Sequence, residues 1–261
     1  GDYETALQSF TKTPSHENTP AMEIIQPLLW RSHANEIAMT VQSASGPLPD
    51  AVRLSMALDE LKNKLDAQGD ILKLLSLQAN IHYRSGDYRV ALSLFTEIED
   101  RAARFTNLDT ARSYALLGLG NSAIMLKEHE QAVQAFVSAA DTATGTGNDL
   151  LQAAALSHLA RVRLYMGDYK QAEQSAHAAQ AIAENYLLSS LSWQTHYTLA
   201  RAMEGQNQLE QAMDHYEKAM DILDTTLSYD ADGREDTRDV YRYAVALCAR
   251  MDEPGRAMQI V

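Results

Sequence analysis

The 261-residue chain has a single cysteine, Cys248, which excludes an intrachain disulfide and any paired-thiol metal or redox motif. One thiol suits a reducing compartment, and a cytoplasmic location is expected. Prolines number six and glycines 12, too few for a disordered or fibrous chain. Basic side chains are also scarce: 22 Lys and Arg stand against 35 Asp and Glu, a formal charge of −13. Phosphate neutralisation needs the opposite balance, so no nucleic-acid partner is expected. Long apolar runs are missing as well. The longest charge-free stretch, 185–200, is interrupted by Ser, Gln, Thr and His, so no membrane span or membrane partner is expected. No basic-then-apolar leader opens the chain, although residue 1 is Gly rather than Met, which leaves room for a removed one.

What the chain does have is repetition. The phrase Gly-Asp-Tyr occurs at 1–3, 86–88 and 167–169, each time followed by an alanine, at Ala6, Ala91 and Ala172. Phe10 and Phe95 lie four residues after the first two, and the smaller Ala176 after the third. Variants without the glycine place Ala132 before Phe136 and Ala212 before Tyr216, and weaker copies carry Ala51 and Ala257. The seven alanines are spaced by 45, 40, 41, 40, 40 and 45 residues, a regularity chance does not produce. Twelve residues before the four best anchors stands another small residue: Ala79, Gly120, Ala160 and Ala200.

This pattern resembles the tetratricopeptide repeat family, in which a small residue on helix A and an alanine on helix B meet where the two helices cross. The resemblance implies an all-α fold, an α-solenoid (right-handed superhelix) of antiparallel helix hairpins. It covers the chain as a single solenoid over 1–261. The first repeats, 1–68, are irregular, with a helix expected over 21–41 around Trp30. Clear repeats follow at about 69–108, 109–148, 149–188 and 189–228, with a partial last repeat over 236–261. The period of about 40 exceeds the usual ~34, and the excess is expected to lengthen both helices and the turns between repeats, as in 105–109 and 144–149. Asp109 and Asp149 read as helix N-caps there. Repeats this long are similar to those of signal-transduction scaffolds, and the closing segment is faintly similar to arrays that precede CHAT domains. Residue 1 falls just before a helix B and residue 261 inside one, so the chain reads as a fragment of a longer protein with uncapped ends.

Motifs with chemistry are weak by comparison. Gly118-Leu119-Gly120-Asn121-Ser122-Ala123 matches a dinucleotide pattern but lies within a helical run instead of after a strand. Asp230 to Asp236 hints at a calcium loop, with the glycine too early and Tyr241 where the bidentate Glu belongs. His129-Glu130 lacks the second histidine of a zinc helix, and the other histidines show no ligand spacing on one helix face. Neither a phosphate-cradling glycine loop nor a nucleophile elbow occurs, and Cys248 reads as core. No catalytic residue, cofactor or metal is therefore expected.

The resemblance places ligand contacts on helix A at fixed offsets from its small residue. Applied here, these offsets select Lys73, Asn80, Tyr83 and Arg84, then Tyr114 and Asn121, then Arg161 and Tyr165, then Tyr197 and Arg201, and finally Arg242. Asn80 with Lys73 or Arg84 is similar to the carboxylate clamp of chaperone-binding members, and Asn121 suits a backbone-reading role. Asn80, Asn121, Arg161 and Arg201 share one offset and are expected in a row. Two fates remain open for the arginines: contact with a ligand, or pairing with Glu204, Asp239 and neighbouring acids. The function implied is a protein- or peptide-binding scaffold whose partners include acidic or carboxylate-bearing peptides. A second reading is a sensor segment of a bacterial signalling protein, with a CHAT protease-like or DNA-binding effector outside the chain. A third is self-association through the uncapped ends.

Overall fold

A computed structural model describes residues 68–226 and 235–260, together with Ser55, Met56, Leu58 and Asp59. The anchors Ala6 and Ala51, the helix expected over 21–41, the turn at Gly46 and residues 230–234 lie outside the described residues. All regular elements among the described residues are helical. They are α1 (Gln68–Arg84), α2 (Tyr88–Ala102), a 3₁₀ turn (Thr106–Leu108), α3 (Asp109–Met125), α4 (His129–Gly145), α5 (Asp149–Met166), α6 (Tyr169–Asn185), α7 (Ser189–Gly205), α8 (Leu209–Thr226), α9 (Glu235–Arg250) and α10 (Pro254–Ile260).

Contacts divide the chain into two compact units, residues 1–128 and 129–261. In the first, α1 packs on α2, α2 on α3, and α1 also touches α3. In the second, each helix from α4 to α10 packs on the next, and α5 touches α7. Each unit is a stretch of α-solenoid, in which successive helices pair and helices of the same class come side by side.

One kind of turn joins most of these helices. The backbone N–H of Glu128 donates to the Ala123 carbonyl, Asn148 to Ala143, Asp168 to Arg163, Leu188 to Ala183 and Gln208 to Met203, each at 2.9 Å. The residue before each donor has positive φ: Lys127 at 63°, Gly147 at 66°, Gly167 at 80°, Leu187 at 53° and Asn207 at 62°. This six-to-one bond across a left-handed residue closes a helix and satisfies its last carbonyls. These residues recur every 20 positions from 127 to 207, and Gly86 and Asp252 close α1 and α9 in the same way.

Two expectations need correction. The connection at 144–149 is not a lengthened turn, because α4 runs to Gly145 and only three residues separate it from α5. The excess over the usual repeat there lies in the helices. Nor are Asp109 and Asp149 the caps. Leu108 and Asn148 hold those positions, and Asn148 Oδ1 accepts from the Leu151 N–H at 3.1 Å. The two acids are first-turn residues, where a negative charge meets the positive end of the helix dipole.

Packing follows the small-residue register. Ala91, Ala132, Ala172 and Ala212 are completely buried, as are Ala79, Ala160 and Ala200. Ala79 and Ala91 share one core cluster with Leu75, Phe95 and Ile98, and Ala200 and Ala212 share another with Met213, Tyr216 and Leu247. Cys248 is buried in that second cluster.

Two glycines extend the same logic. A Cβ on Gly118 of α3 would come within 2.4 Å of the Phe95 ring, and one on Gly205 of α7 within 2.5 Å of the Tyr169 ring. Both rings lie flat against bare backbone. Gly145, by contrast, has open space around it. Gly118→Ala should therefore destabilise, because ~1–3 kcal/mol of overpacking exceeds the ~0.5–1 kcal/mol gained in helix propensity. Gly145→Ala should stabilise by about that propensity gain alone. Chemical denaturation of the two variants checks the opposite signs.

Leu187 supplies a second test. Its side chain is 87% exposed, and its backbone takes a conformation that costs an L-residue ~1–2 kcal/mol. Leu187→Gly should raise stability by roughly 0.5–1 kcal/mol, the relief of that strain less the entropy of glycine. A lower melting temperature for this variant would show that Leu187 makes contacts worth more than its strain.

Candidate ligand grooves

Where α1 and α3 lie side by side in the first unit, they leave a cleft of about 710 Å³. Lys73, Ser76 and Asn80 line it from α1, and Tyr114, Gly118 and Asn121 from α3. Its floor is Phe95, which reaches this surface only because Gly118 has no side chain. Tyr114 is 58% exposed over the cleft. The amides of Asn80 and Asn121 have no hydrogen-bond partner among the described residues, so both their donors and their acceptors are open. Lys73 has a weak tie to Asp70 at 3.7 Å. Two of the expected contacts are not part of this cleft: Tyr83 packs against the core and edge-on to Tyr88, with ring centroids 5.4 Å apart, and Arg84 is not among the lining residues.

The second unit has a narrower pocket of about 310 Å³ between α5 and α7. Arg161, Leu164 and Tyr165 come from α5, Tyr169 from the start of α6, and Trp193, Gln194, Tyr197 and Arg201 from α7, with Asp239 of α9 at the rim. Arg161 and Arg201 share an offset and a pocket, but their surroundings differ.

Arg201 is held by the protein. Its Nε lies 3.5 Å from Glu204 Oε2, and its guanidinium sits 3.7 Å above the centre of the Tyr243 ring. Glu204 in turn accepts from the Tyr216 hydroxyl at 3.0 Å and pairs with Arg250. Burial first, and then the Glu204 carboxylate, hold the Tyr216 hydroxyl far above its ordinary range, so it remains a proton donor. The Arg201 Nε is buried without a well-aligned acceptor, which makes its bond to Glu204 an ion pair and not a hydrogen bond. Arg242 also pairs internally, with Asp239 at 2.9 Å, and its guanidinium lies 5.1 Å from the Tyr243 ring centre.

Arg161 has no ion pair and no hydrogen bond among the described residues, although it is half-buried. Nearby His158 stacks on Phe136 with ring centroids 5.2 Å apart, and burial together with the Arg161 charge pushes its pKa down to about 4. That ring is neutral at pH 7 and does not add to the charge of Arg161. Beside it, Tyr165 is 63% exposed.

Sequence reasoning missed Tyr169, Trp193 and Tyr243. Trp193 stands one helical turn before Tyr197 on α7, a spacing that puts both on one face. Tyr169 belongs to the third Gly-Asp-Tyr phrase, whose tyrosine looked like part of the turn. Among the described residues, no group of three or more His, Cys, Asp or Glu could hold a metal ion. No helix there is long and apolar enough to cross a membrane.

Comparison with known proteins agrees with this architecture. Two sequence patterns, each of the Tetratricopeptide repeat, match residues 76–148 and 151–225. No curated protein matches the chain. Among solved structures, BtubC from P. vanneervenii is 15% identical over 89% of this chain and 88% of its own, with a TM-score of 0.64. The apo form of RapI is 11% identical over 90% of this chain and 94% of its own, at 0.69. A signal transduction ATPase with a tetratricopeptide repeat sensor from Pyrococcus horikoshii is 13% identical over 92% of this chain but only 37% of its own, at 0.68. At these identities the likeness is one of fold. With matched repeats, an all-helical row of hairpins and buried small residues at a 40-residue period, the chain belongs to the tetratricopeptide repeat family.

Proposed function

We propose that this chain is a protein- or peptide-binding scaffold that holds its ligands against the A-class helices of each unit. Tetratricopeptide repeats generally serve in protein interaction, and the observation that supports a ligand here is Arg161. A half-buried guanidinium with no ion pair or hydrogen bond among the described residues, in a chain of net charge −13, has no internal return there for the water it gives up. An incoming carboxylate would supply that return through a charge-assisted, bidentate pair. The aromatic walls of Tyr165, Trp193 and Tyr197 suit a large apolar side chain next to that carboxylate. In the first unit, Asn80 and Asn121 offer amides that match the donor and acceptor of a peptide backbone, with Tyr114 as a flat contact surface. The acidic remainder of the protein would repel other anions, so selectivity comes partly from repulsion. A second reading is a sensor segment of a larger signalling protein. It is supported by the fold likeness to the sensor-bearing ATPase of P. horikoshii, of which the chain spans about a third.

The two pocket arginines separate ligand binding from stability. Peptides that carry a Glu or Asp beside Phe, Leu or Trp, selected from a displayed library, should bind the full chain and weaken as salt is raised. Arg161→Ala should lower their affinity by roughly tenfold to a hundredfold, the worth of a charged hydrogen bond. Its unfolding free energy should stay within ~0.5 kcal/mol of the parent. Arg201→Ala and Glu204→Gln should each cost ~1–3 kcal/mol of stability, because they leave buried partners unpaired. Calorimetric binding and urea denaturation on the same three variants provide the comparison. Full affinity in Arg161→Ala would remove the second-unit pocket from consideration.

A further inference from the structure

Three histidines that stand far apart in sequence meet in the second unit. His177 lies on α6, His196 on α7 and His215 on α8. His196 Nδ1 is 2.9 Å from His215 Nδ1, and the His177 ring is centred 6.0 Å from that of His215. On its far side, His196 Nε2 lies 3.1 Å from the Gln180 amide nitrogen, and the same amide donates to Glu184 Oε1 at 2.7 Å.

These contacts determine where the protons sit. The Glu184 carboxylate requires the Gln180 nitrogen to face it, and an amide nitrogen only donates. His196 Nε2 must then be the acceptor, so the His196 proton is on Nδ1 and is donated to His215 Nδ1. The His215 proton is consequently on Nε2. Two neutral rings satisfy the whole chain of bonds. A proton added at His196 Nε2 meets the Gln180 donor, and one added at His215 Nδ1 meets the His196 donor.

The cluster sits at a joint. Helix α7 packs against both α6 and α8, and so seats the α7–α8 hairpin on the α5–α6 hairpin. The same joint forms the pocket, with Arg161 and Tyr165 from the first hairpin and Trp193 and Tyr197 from the second. His196 and Tyr197 are adjacent in sequence, one in the histidine cluster and the other in the pocket wall.

We propose that this cluster makes the joint acid-sensitive: proton uptake by the His196–His215 pair breaks the Gln180–His196–His215 chain, loosens the seating of α7, and disorders the Trp193–Tyr197 wall of the pocket. The effect on binding rests on the reading of that pocket as a ligand site, whereas the effect on the joint does not.

The charged groups facing the pair do not rescue a protonated state. Glu184 on α6 and Asp214 on α8 are its acidic neighbours, and Glu173 on α6 has its Oε1 4.0 Å from His177 Nε2 instead. Glu184 and Asp214 are exposed, where solvent weakens their pull, and Lys218 of α8 opposes a further positive charge. Burial chiefly, with Lys218 and the other histidines, lowers both rings from the ordinary value of 6.5, His215 to about 4. A folded-state pKa below the unfolded one means that the open joint binds protons the closed joint refuses. The stabilisation is complete above about pH 6.5 and is lost as pH falls from there toward 4. His158, on α5 and outside the cluster, is held equally low and serves as the control.

Trp193 reports on the pocket once Trp30→Phe has removed the chain's other tryptophan. In the free 261-residue chain, Trp193 emission should shift between about pH 6.5 and 4 while far-ultraviolet circular dichroism retains most of its helical signal. His215→Asn keeps an acceptor facing His196 Nδ1 but does not titrate, and it should reduce that shift to the part due to His196, whereas His158→Phe should leave it in place. Should His215→Asn fold poorly, nitrogen NMR of the parent chain provides the second test. His196 should carry its proton on Nδ1 and His215 on Nε2, with His215 titrating well below 6.5. Emission unchanged down to pH 4, a shift indifferent to His215→Asn, or an ordinary titration of His215 would each overturn the proposal. A peptide selected at neutral pH should lose affinity by roughly tenfold for each pH unit once one proton is linked to opening. An acid shift of Trp193 in a chain that binds no such peptide sinks the pocket reading and supports the joint. Binding that persists with no acid shift does the reverse.

Discussion

The structure depends on how closely two helices can cross. At each crossing in the described repeats, a residue no larger than alanine stands on both helices, and Ala79 with Ala91 and Ala200 with Ala212 are fully buried in shared clusters. A longer side chain at such a point would push the helix axes apart, and every contact further along the pair would lengthen with it. The glycines opposite Phe95 and Tyr169 carry this further, since a ring lies where even a methyl group has no room. Close crossing leaves large side chains to pack one turn away, where Phe95, Phe136 and Tyr216 do so.

The turns keep that register from one helix to the next. A left-handed residue every 20 positions, with the same 2.9 Å bond across it, gives each helix nearly the same length and returns the chain at the same phase. Glycine holds this position in some turns, and Lys127, Leu187, Asn207 and Asp252 hold it in others. The hydrogen bonding of the turn and the packing of the flanking helices therefore outweigh the ~1–2 kcal/mol conformational penalty of a non-glycine residue. Because phase is preserved, a given offset on α5 and α7 faces the same pocket.

Equal offsets do not make equal residues. Arg201 is drawn into a network in which Glu204 is shared by Arg201, Tyr216 and Arg250 while the Tyr243 ring carries the guanidinium face. Arg161 sits one repeat earlier with no ion pair among the described residues. The contrast comes from α9, which supplies Tyr243 and Arg250 to the later position. Arg161 therefore keeps its full capacity for a carboxylate, while Arg201 contributes mainly to the rigidity of the wall beside it.

The repeat length, the helical class and the small-residue crossings were legible in the sequence because each depends on residue size at a fixed separation along one chain. The pocket was half legible: the offsets found Arg161, Tyr165, Tyr197 and Arg201, but not the Tyr243 shelf or the roles of Trp193 and Tyr169. Turn positions held by Lys127, Leu187 and Asn207 were not signalled by a glycine, and Asn148 took the cap that Asp149 seemed to offer. The histidine cluster was invisible, because His177, His196 and His215 lie on three different helices and share no face. Periodicity along one chain determined which faces of the helices are buried. Which polar side chains meet across those faces, and which of them is left without a partner, was decided by packing between helices, because hydrogen bonds and ion pairs depend on distances of a few ångströms that no spacing in sequence records.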